Sequence, residues 1–323
     1  MSGRPVGNRV LNGALIAAAL ALASACAPAV SDREVAQCVG MAPIAGERDG
    51  MVWIPGGAVT MGENPGHPEE RPSYQAQVGG FWLDRHEVTN AQFAAFVQAT
   101  GYVSEAERQP PAKGGPGSAV FADSGWAYVS GASWRHPYGP GSNIEGLEDH
   151  PVVHVTYADA SAYAQWAGRV LPTEEQYEYA ARLGRDGAFE AGAAGRARYR
   201  ANTWQGAFPF RNTGEDGFQG TAPVACFDAD ELGLHDILGN VWEWTSTLYY
   251  PRHQPPADVT AQFPNGLNPS DASTGARVIK GGSHLCADNF CARYTPSARQ
   301  PQEPDLGTSH IGFRTALNAP GPS

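Results

Sequence analysis

Lysine is nearly absent from this chain: Lys113 and Lys280 are the only two in 323 residues, and the other basic residues are scattered arginines. Without a basic run, the clustered positive charge that nucleic-acid phosphates require is missing, so that class of partner is set aside. No period of 20–50 residues recurs, which argues against a solenoid or a propeller. Cysteine is also scarce, with five in all, and no second cysteine pair stands beside Cys286 and Cys291 to complete a four-thiolate zinc site. What is abundant is punctuation. Gly (39) and Pro (26) make up about a fifth of the chain, against a usual share of roughly 12%. Such a sequence cannot build a long-helix bundle. At 42% apolar and 10% aromatic it still has material for a sizeable core, so it is no disordered acidic chain. A loop-rich fold with short elements is expected.

The net charge is −11. Most of this surplus reads as solubility charge, though part of it suits carboxylates gathered around hard cations. Residues 1–25 have a composition of their own. Arg4 and Arg9 form a positive start, Leu11 to Leu22 is rich in Ala and Leu, and Ala23-Ser24-Ala25 leads to Cys26. The apolar stretch is short for a membrane span and fits a secretory signal. Small residues before a cysteine resemble a bacterial lipobox, with Cys26 as the lipidated first residue; ordinary cleavage nearby is the alternative. The expected location is the periplasm or the outer membrane of a bacterium, reached as a lipoprotein. Losing two arginines and no acid would take the net charge to −13. The expected organisation is a signal peptide over 1–25, a tether over 26–47, one domain over 48–318 and a tail over 319–323.

Within the domain, Val52 to Gly57 reads as a strand running into a turn, and Phe81 to Asp84 as another strand. Three helix starts share one signature: Thr89 with Gln92, Thr156 with Asp159, and Thr173 with Gln176, each a capping box or close variant. Gly101, Gly168 and Gly184 stand as the stops. Residues 110–150 and 185–235, rich in Gly, Pro and aromatics, read as irregular. Buried backbone of that kind needs partners for its amides and carbonyls.

Two constellations carry chemistry. Cys286 and Cys291, beside Gly281-Gly282, suit a disulfide, a soft-metal site or a redox couple. If a metal is held, thiolates favour copper(I). His284 is adjacent, but faces away if the stretch is extended. In Gly233-Leu-His-Asp-Ile-Leu-Gly-Asn-Val-Trp-Glu-Trp244, Asp236 and Glu243 bracket a Gly-Asn turn. Turn carbonyls plus two carboxylates suit calcium; a turn capped by Asn240 with solvated acids is the plainer reading. Trp242 and Trp244 share a face if the stretch is a strand, a usual arrangement for core packing.

These residues stand among further markers in order: Met51 to Gly57, Asp84 to Asn90, Trp134-Arg-His-Pro137, His150 to His154, Leu171 to Glu174, Asn202 to Gly206, Asn212 to Val224, Gly239 to Trp244, Gly281 to Ser283 and Gly312-Phe-Arg314. Over roughly residues 50–317 the chain resembles the formylglycine-generating enzymes, or sulfatase-modifying factors, of the copper-using, oxygen-dependent kind. The Trp134 block, the Asn212 run and the late cysteines are the selective markers. The resemblance implies an α+β, C-type lectin-like fold with low regular secondary structure and a few short helices. It implies oxidation of a cysteine in a Cys-x-Pro-x-Arg motif of an unfolded sulfatase to formylglycine, with molecular oxygen and a thiol reductant. On this likeness Cys286 and Cys291 bind copper(I), and Ser283 and Trp242 lie beside the oxygen and substrate site. Trp242, Phe290 and Arg293 border the substrate. Structural calcium would take Asn202, Asp216 and the carbonyls of Thr203 and Phe218. A second calcium would take Asp236, Glu243 and the carbonyls of Gly239 and Val241.

The chain departs from the pattern at Phe290, where relatives often carry tyrosine, and at Thr315, where some carry a disulfide cysteine. Cys38 and Cys226 are left over and could pair. A non-catalytic binding or assembly module of the same superfamily is the alternative; many such members lack the cysteine pair. An iron-dependent sulfoxide synthase would need a helical histidine cluster, and His67, His86, His136, His150 and His154 are not spaced for one.

Overall fold

The structure is a computed structural model, and it describes residues 38, 48–108, 114–122, 124–184, 199–253, 255 and 275–322. The signal and lipobox reading, and all of the tether but Cys38, lie outside the described residues. The first strands are β1 (Met51–Ile54), β2 (Gly57–Met61), β3 (Tyr74–Val78) and β4 (Phe81–Asp84). The late strands are β7 (Trp242–Leu248), β8 (Arg277–Lys280), β9 (Arg299–Gln302), β10 (Ile311–Gly312) and β11 (Ala316–Leu317). They form a three-stranded sheet in the order β1-β4-β11 and a four-stranded sheet in the order β10-β7-β8-β9, with β2 and β3 paired separately. The chain's start and end therefore close on each other through β4 and β11.

The three helix starts fall where the caps place them. Helix α1 (Asn90–Thr100) follows Thr89, α3 (Tyr157–Trp166) follows Thr156, and α4 (Glu174–Leu183) follows Thr173, each with a complete capping box. Each threonine hydroxyl accepts from an amide that the first helical turn leaves unpaired. One further helical turn, α2, spans Glu105–Arg108. The region read as irregular differs in one respect: β5 (Gly117–Ala122) and β6 (Gly125–Ser130) form an antiparallel hairpin. Ser124 takes a positive φ of 66° there, so the usual Asn-Gly or Asp-Gly turn signature is missing from the sequence.

Two apolar cores result. One gathers Phe93, Trp134, Tyr163, Trp242, Trp244 and Phe313 with Cys286; the other gathers Ile54, Phe81, Leu83, Tyr177 and Ile237. Strand β7 serves both through its period of two. Trp242 and Trp244 enter the first core, and the intervening Glu243 accepts from Tyr177 of the second at 2.9 Å. Cys38 and Cys226, left over in the sequence, form a disulfide.

Candidate active site

Strand β8 delivers the thiol loop. After Lys280 the chain turns at Gly281 and Gly282, whose φ values are +93° and +80°. A Cβ on Gly282 would stand 2.6 Å from the Arg293 carbonyl oxygen, so the two ends of the loop approach only because that residue is glycine. Between them, Ala287 and Phe290 exchange backbone hydrogen bonds of 2.9 and 3.0 Å. Cys291 adopts a φ of 72°, a left-handed conformation costing about 1–2 kcal/mol for a residue with a Cβ. The tight turn thus carries Cys291 back over Cys286. Their Sγ atoms lie 2.9 Å apart and both thiols are free. The sulfurs are thus in contact without being joined as a disulfide.

The two sulfurs differ in surroundings. Cys286 is buried in the first core, and burial pushes its thiol well above the ordinary range. Cys291 is partly exposed; its contact with Cys286 first, then the Arg293 guanidinium, bring it down to about 7. Arg293 Nη1 lies 3.9 Å from Cys291 Sγ, while Nε and Nη2 donate to Glu69 Oε1 at 3.2 and 2.6 Å. Ser283 is fully buried at the loop entrance, where its carbonyl accepts from the Cys286 amide at 2.8 Å. Trp242 packs in the core that holds Cys286. His284 is buried with Nδ1 2.9 Å from the Asn240 carbonyl, and so is engaged with the Gly239-Asn240 turn. Phe290 is 55% exposed and stacks on Phe208, with centroids 4.4 Å apart and planes 5° from parallel. The Asn289 side chain clamps that stack, accepting from the Phe208 amide and donating to its carbonyl, both at 3.3 Å.

The residues expected around calcium fall into two groups. In the first, Asp216 is buried, accepting from the Thr203 amide and from Gln205 Nε2 at 3.0 and 2.7 Å, and from the Phe218 amide at 3.0 Å. Asn202 donates to the Gly220 carbonyl at 2.8 Å, and its buried Oδ1 has no hydrogen-bond partner. This group touches the thiol loop: the next residue but one, Trp204, donates its amide to the Cys286 carbonyl at 3.0 Å.

In the second group, Gly239 and Asn240 both take positive φ, as the turn reading requires, and bring Val241 into the core. Asp236 accepts from the Ala225 amide at 2.7 Å through Oδ2, and its buried Oδ1 is without a partner. Glu243 is not solvated. It takes a fork of 2.7 and 2.8 Å from the buried Arg314. The sequence reading missed Glu87, which is fully buried here and receives Asn240 Nδ2 at 3.0 Å. Burial pushes the Glu87 carboxyl well up, helped by Asp236 and Glu243; burial likewise raises Asp236 to about 6.

A separate buried cluster, Glu174, Glu178 and His253, brings ligand-type atoms within 4.8 Å of one another. Its charges are already balanced. Arg299 forks onto Glu174 at 2.7 and 3.2 Å, and Lys280 and Arg182 meet Glu178 at 3.0 and 2.8 Å. Three cations around two carboxylates leave no charge for a metal to compensate, so this cluster is a structural ion network.

Residues 39–319 match the sulfatase-modifying factor enzyme 1-like domain family. A formylglycine-generating enzyme of Mycobacterium tuberculosis is 46% identical over 287 residues, covering 82% of this chain and 96% of that protein. An inactive C-alpha-formylglycine-generating enzyme 2 of Mus musculus is 37% identical, covering 84% of this chain and 87% of that protein. Among solved structures, PvdO from Pseudomonas aeruginosa aligns with a TM-score of 0.57 at 23% identity over 83% of this chain and 94% of that one. That likeness speaks for the fold alone: the loop-rich α+β fold of the sulfatase-modifying factors expected above.

Proposed function

The chain belongs to the sulfatase-modifying factor family, and from that membership we propose that it oxidises a substrate cysteine to formylglycine with copper(I) and molecular oxygen. The observation that carries the reading is the pair of free thiols 2.9 Å apart, one buried beside Trp242 and the other open to a partner. Sulfur donors of this kind fit a soft monovalent ion. Copper held by Cys286 and Cys291 would supply the one-electron chemistry with oxygen that side chains lack.

The chain's own residues do the rest. Arg293 sets a positive charge beside Cys291 and favours its thiolate. Trp242 lies buried in the core that holds Cys286, and the buried Ser283 anchors the start of the thiol turn through the carbonyl that accepts the Cys286 amide at 2.8 Å. Phe290, held flat on Phe208, offers an exposed apolar face to a polypeptide that brings its cysteine to the open side. The proposed substrate is an unfolded sulfatase segment bearing Cys-x-Pro-x-Arg, because an extended peptide can lay one cysteine into a shallow loop. The conversion removes two electrons from the cysteine carbon and releases sulfur as sulfide. A thiol reductant supplies the other two electrons that oxygen needs.

Calcium at the Asn202/Asp216 and Asp236/Glu243 groups belongs to the same proposal, as structural ions. The buried, partnerless oxygens of Asn202 and Asp236 are the fit for hard cations. Export with a lipid on Cys26 is a further part, and palmitate labelling tests it: an unlabelled mature chain removes it.

The deciding experiment is incubation of the copper(I)-loaded protein with a Cys-x-Pro-x-Arg peptide under air. Conversion appears as a loss of about 18 mass units, the thiol-to-aldehyde difference, with aldehyde reactivity. No conversion, with Cys286→Ala binding copper(I) as well as the native protein, overturns the reading. The similarity to an inactive relative keeps a non-catalytic envelope module as the second reading, and the same assay separates the two.

A further inference from the structure

We propose that Glu69 is a positioning residue for the thiol pair: its carboxylate holds the Arg293 guanidinium in the orientation that turns Nη1 toward Cys291. This rests on the copper(I) reading of Cys286 and Cys291 given above. Glu69 and Arg293 stand 224 positions apart, and the single helical turn Pro68–Glu70 brings the carboxylate to the thiol loop. That turn is itself tied down. The Glu69 carbonyl accepts from Arg299 Nη1 at 3.0 Å, and Arg299 forks onto Glu174 at 2.7 and 3.2 Å. The Glu70 carbonyl lies 3.1 Å from His253 Nδ1, and the Glu70 carboxylate accepts from the Gly66 amide at 2.7 Å. Glu69 therefore presents its side chain from a backbone held by three separate contacts.

A guanidinium is planar, so fixing two of its nitrogens fixes the third. Nε and Nη2 of Arg293 donate to Glu69 Oε1 at 3.2 and 2.6 Å, and Nη1 is left 3.9 Å from Cys291 Sγ. Among the described residues, the side-chain partners of this guanidinium are Glu69 and Cys291. The two side chains of the ion pair are 20% and 19% exposed. Pairs with that much access to solvent add little to stability. What this pair decides is where the charge of Arg293 points. Two thiolates around one monovalent cation keep a net negative charge, and Cys286 is buried, where an uncompensated charge is costly. Arg293 offsets that charge only while Nη1 faces the sulfurs.

The test is an anaerobic titration of copper(I) into the full chain in competition with the coloured chelator bicinchoninate, with the thiolate-to-copper absorption in the ultraviolet read alongside. Native protein is compared with Glu69→Ala, Arg293→Ala and the double variant. Each single variant is expected to bind copper(I) more weakly by about fivefold or more, at a melting temperature close to native. The double variant is expected to bind no more weakly than Arg293→Ala, because Glu69 acts through Arg293. Native affinity in either single variant overturns the assignment. Tighter binding in Glu69→Ala also overturns it, since the carboxylate would then only dilute the charge of Arg293. Losses that multiply in the double variant overturn it as well, since Glu69 would then act on its own. In all three cases the copper reading stands. A native protein that binds no copper(I) overturns both. Should Glu69→Ala not accumulate as folded protein, Glu69→Gln is read in its place. It keeps an acceptor oxygen without the charge, and native affinity again overturns the assignment.

Discussion

Glu174 and Glu178 lie among Arg182, Lys280 and Arg299, whereas Glu87, Asp236 and Glu243 share Arg314. Both clusters are buried and both involve α4: Glu174 and Glu178 stand on it, and its Tyr177 donates to Glu243 at 2.9 Å. The first is closed by its own cations. Burial raises the Glu174 carboxyl, but Arg299, Lys280 and His253 overcome that and hold it at about 2. The second stays open, and burial leaves Asp236 at about 6. The difference separates a cluster whose charges are met by its own cations from one left with an unbalanced charge and unfilled carboxylate oxygens.

Removing one partner from the closed cluster should have the largest effect. Lys280→Met leaves the buried Glu178 carboxylate with Arg182 as its remaining cation, and losing one cation from such a buried network costs about 3 kcal/mol, the low end of the range for breaking a buried pair. Urea denaturation reads this directly, and a loss under about 1 kcal/mol would mean the network is not as closed as described. Of these two clusters, calcium should act on the open one. At a hundredfold excess over its dissociation constant, calcium adds about 2.7 kcal/mol. Asp236→Ala should remove part of that gain, and it should lower melting temperature more than it slows peptide oxidation. Lys280→Met should leave the calcium response intact, and an equal loss in both variants would erase the distinction.

The pH responses should run in opposite directions. Glu174 has its folded value depressed from 4.5 to about 2, so its stabilisation is complete above 4.5 and disappears as pH falls toward 2. Asp236 has its folded value raised from 3.8 to about 6, so without calcium its stabilisation is present below 3.8 and is lost as pH rises through 6. In chelator, melting temperature should therefore fall between pH 5 and 7, and calcium should abolish that fall; a flat profile in chelator contradicts the open-cluster account. The smallest effect is Thr173→Ala, which removes the cap of the helix carrying Glu174 and costs about 1 kcal/mol. Its calcium response should match that of the native protein.

The parts of this fold that could be read from the sequence are local. Thr89, Thr156 and Thr173 announce their helices because a cap and its partner lie three residues apart. Cys286 and Cys291 are five residues apart, so their meeting could be anticipated. Glu87 and Asn240 are separated by 153 positions, and Glu69 and Arg293 by 224. Nothing in either neighbourhood marks such a pair, and only the closed backbone brings them together. The β5–β6 hairpin escaped for a different reason. Its second strand faces solvent along most of its length, so the alternation that identifies a half-buried strand is absent.

The Cys38–Cys226 bridge also settles how the domain would bear load. It joins positions 188 apart in sequence. All the elements from β1 to α4 lie inside the covalent ring it closes. When tension is applied between the amino and carboxyl ends, the bridge shunts the pull from Cys38 directly to Cys226. The strands and capped helices between them are bypassed, so the early half of the domain cannot be peeled away from its amino-terminal end. The segments left in the mechanical path are those after Cys226, which include β7, β8 and the loop that carries Cys286 and Cys291.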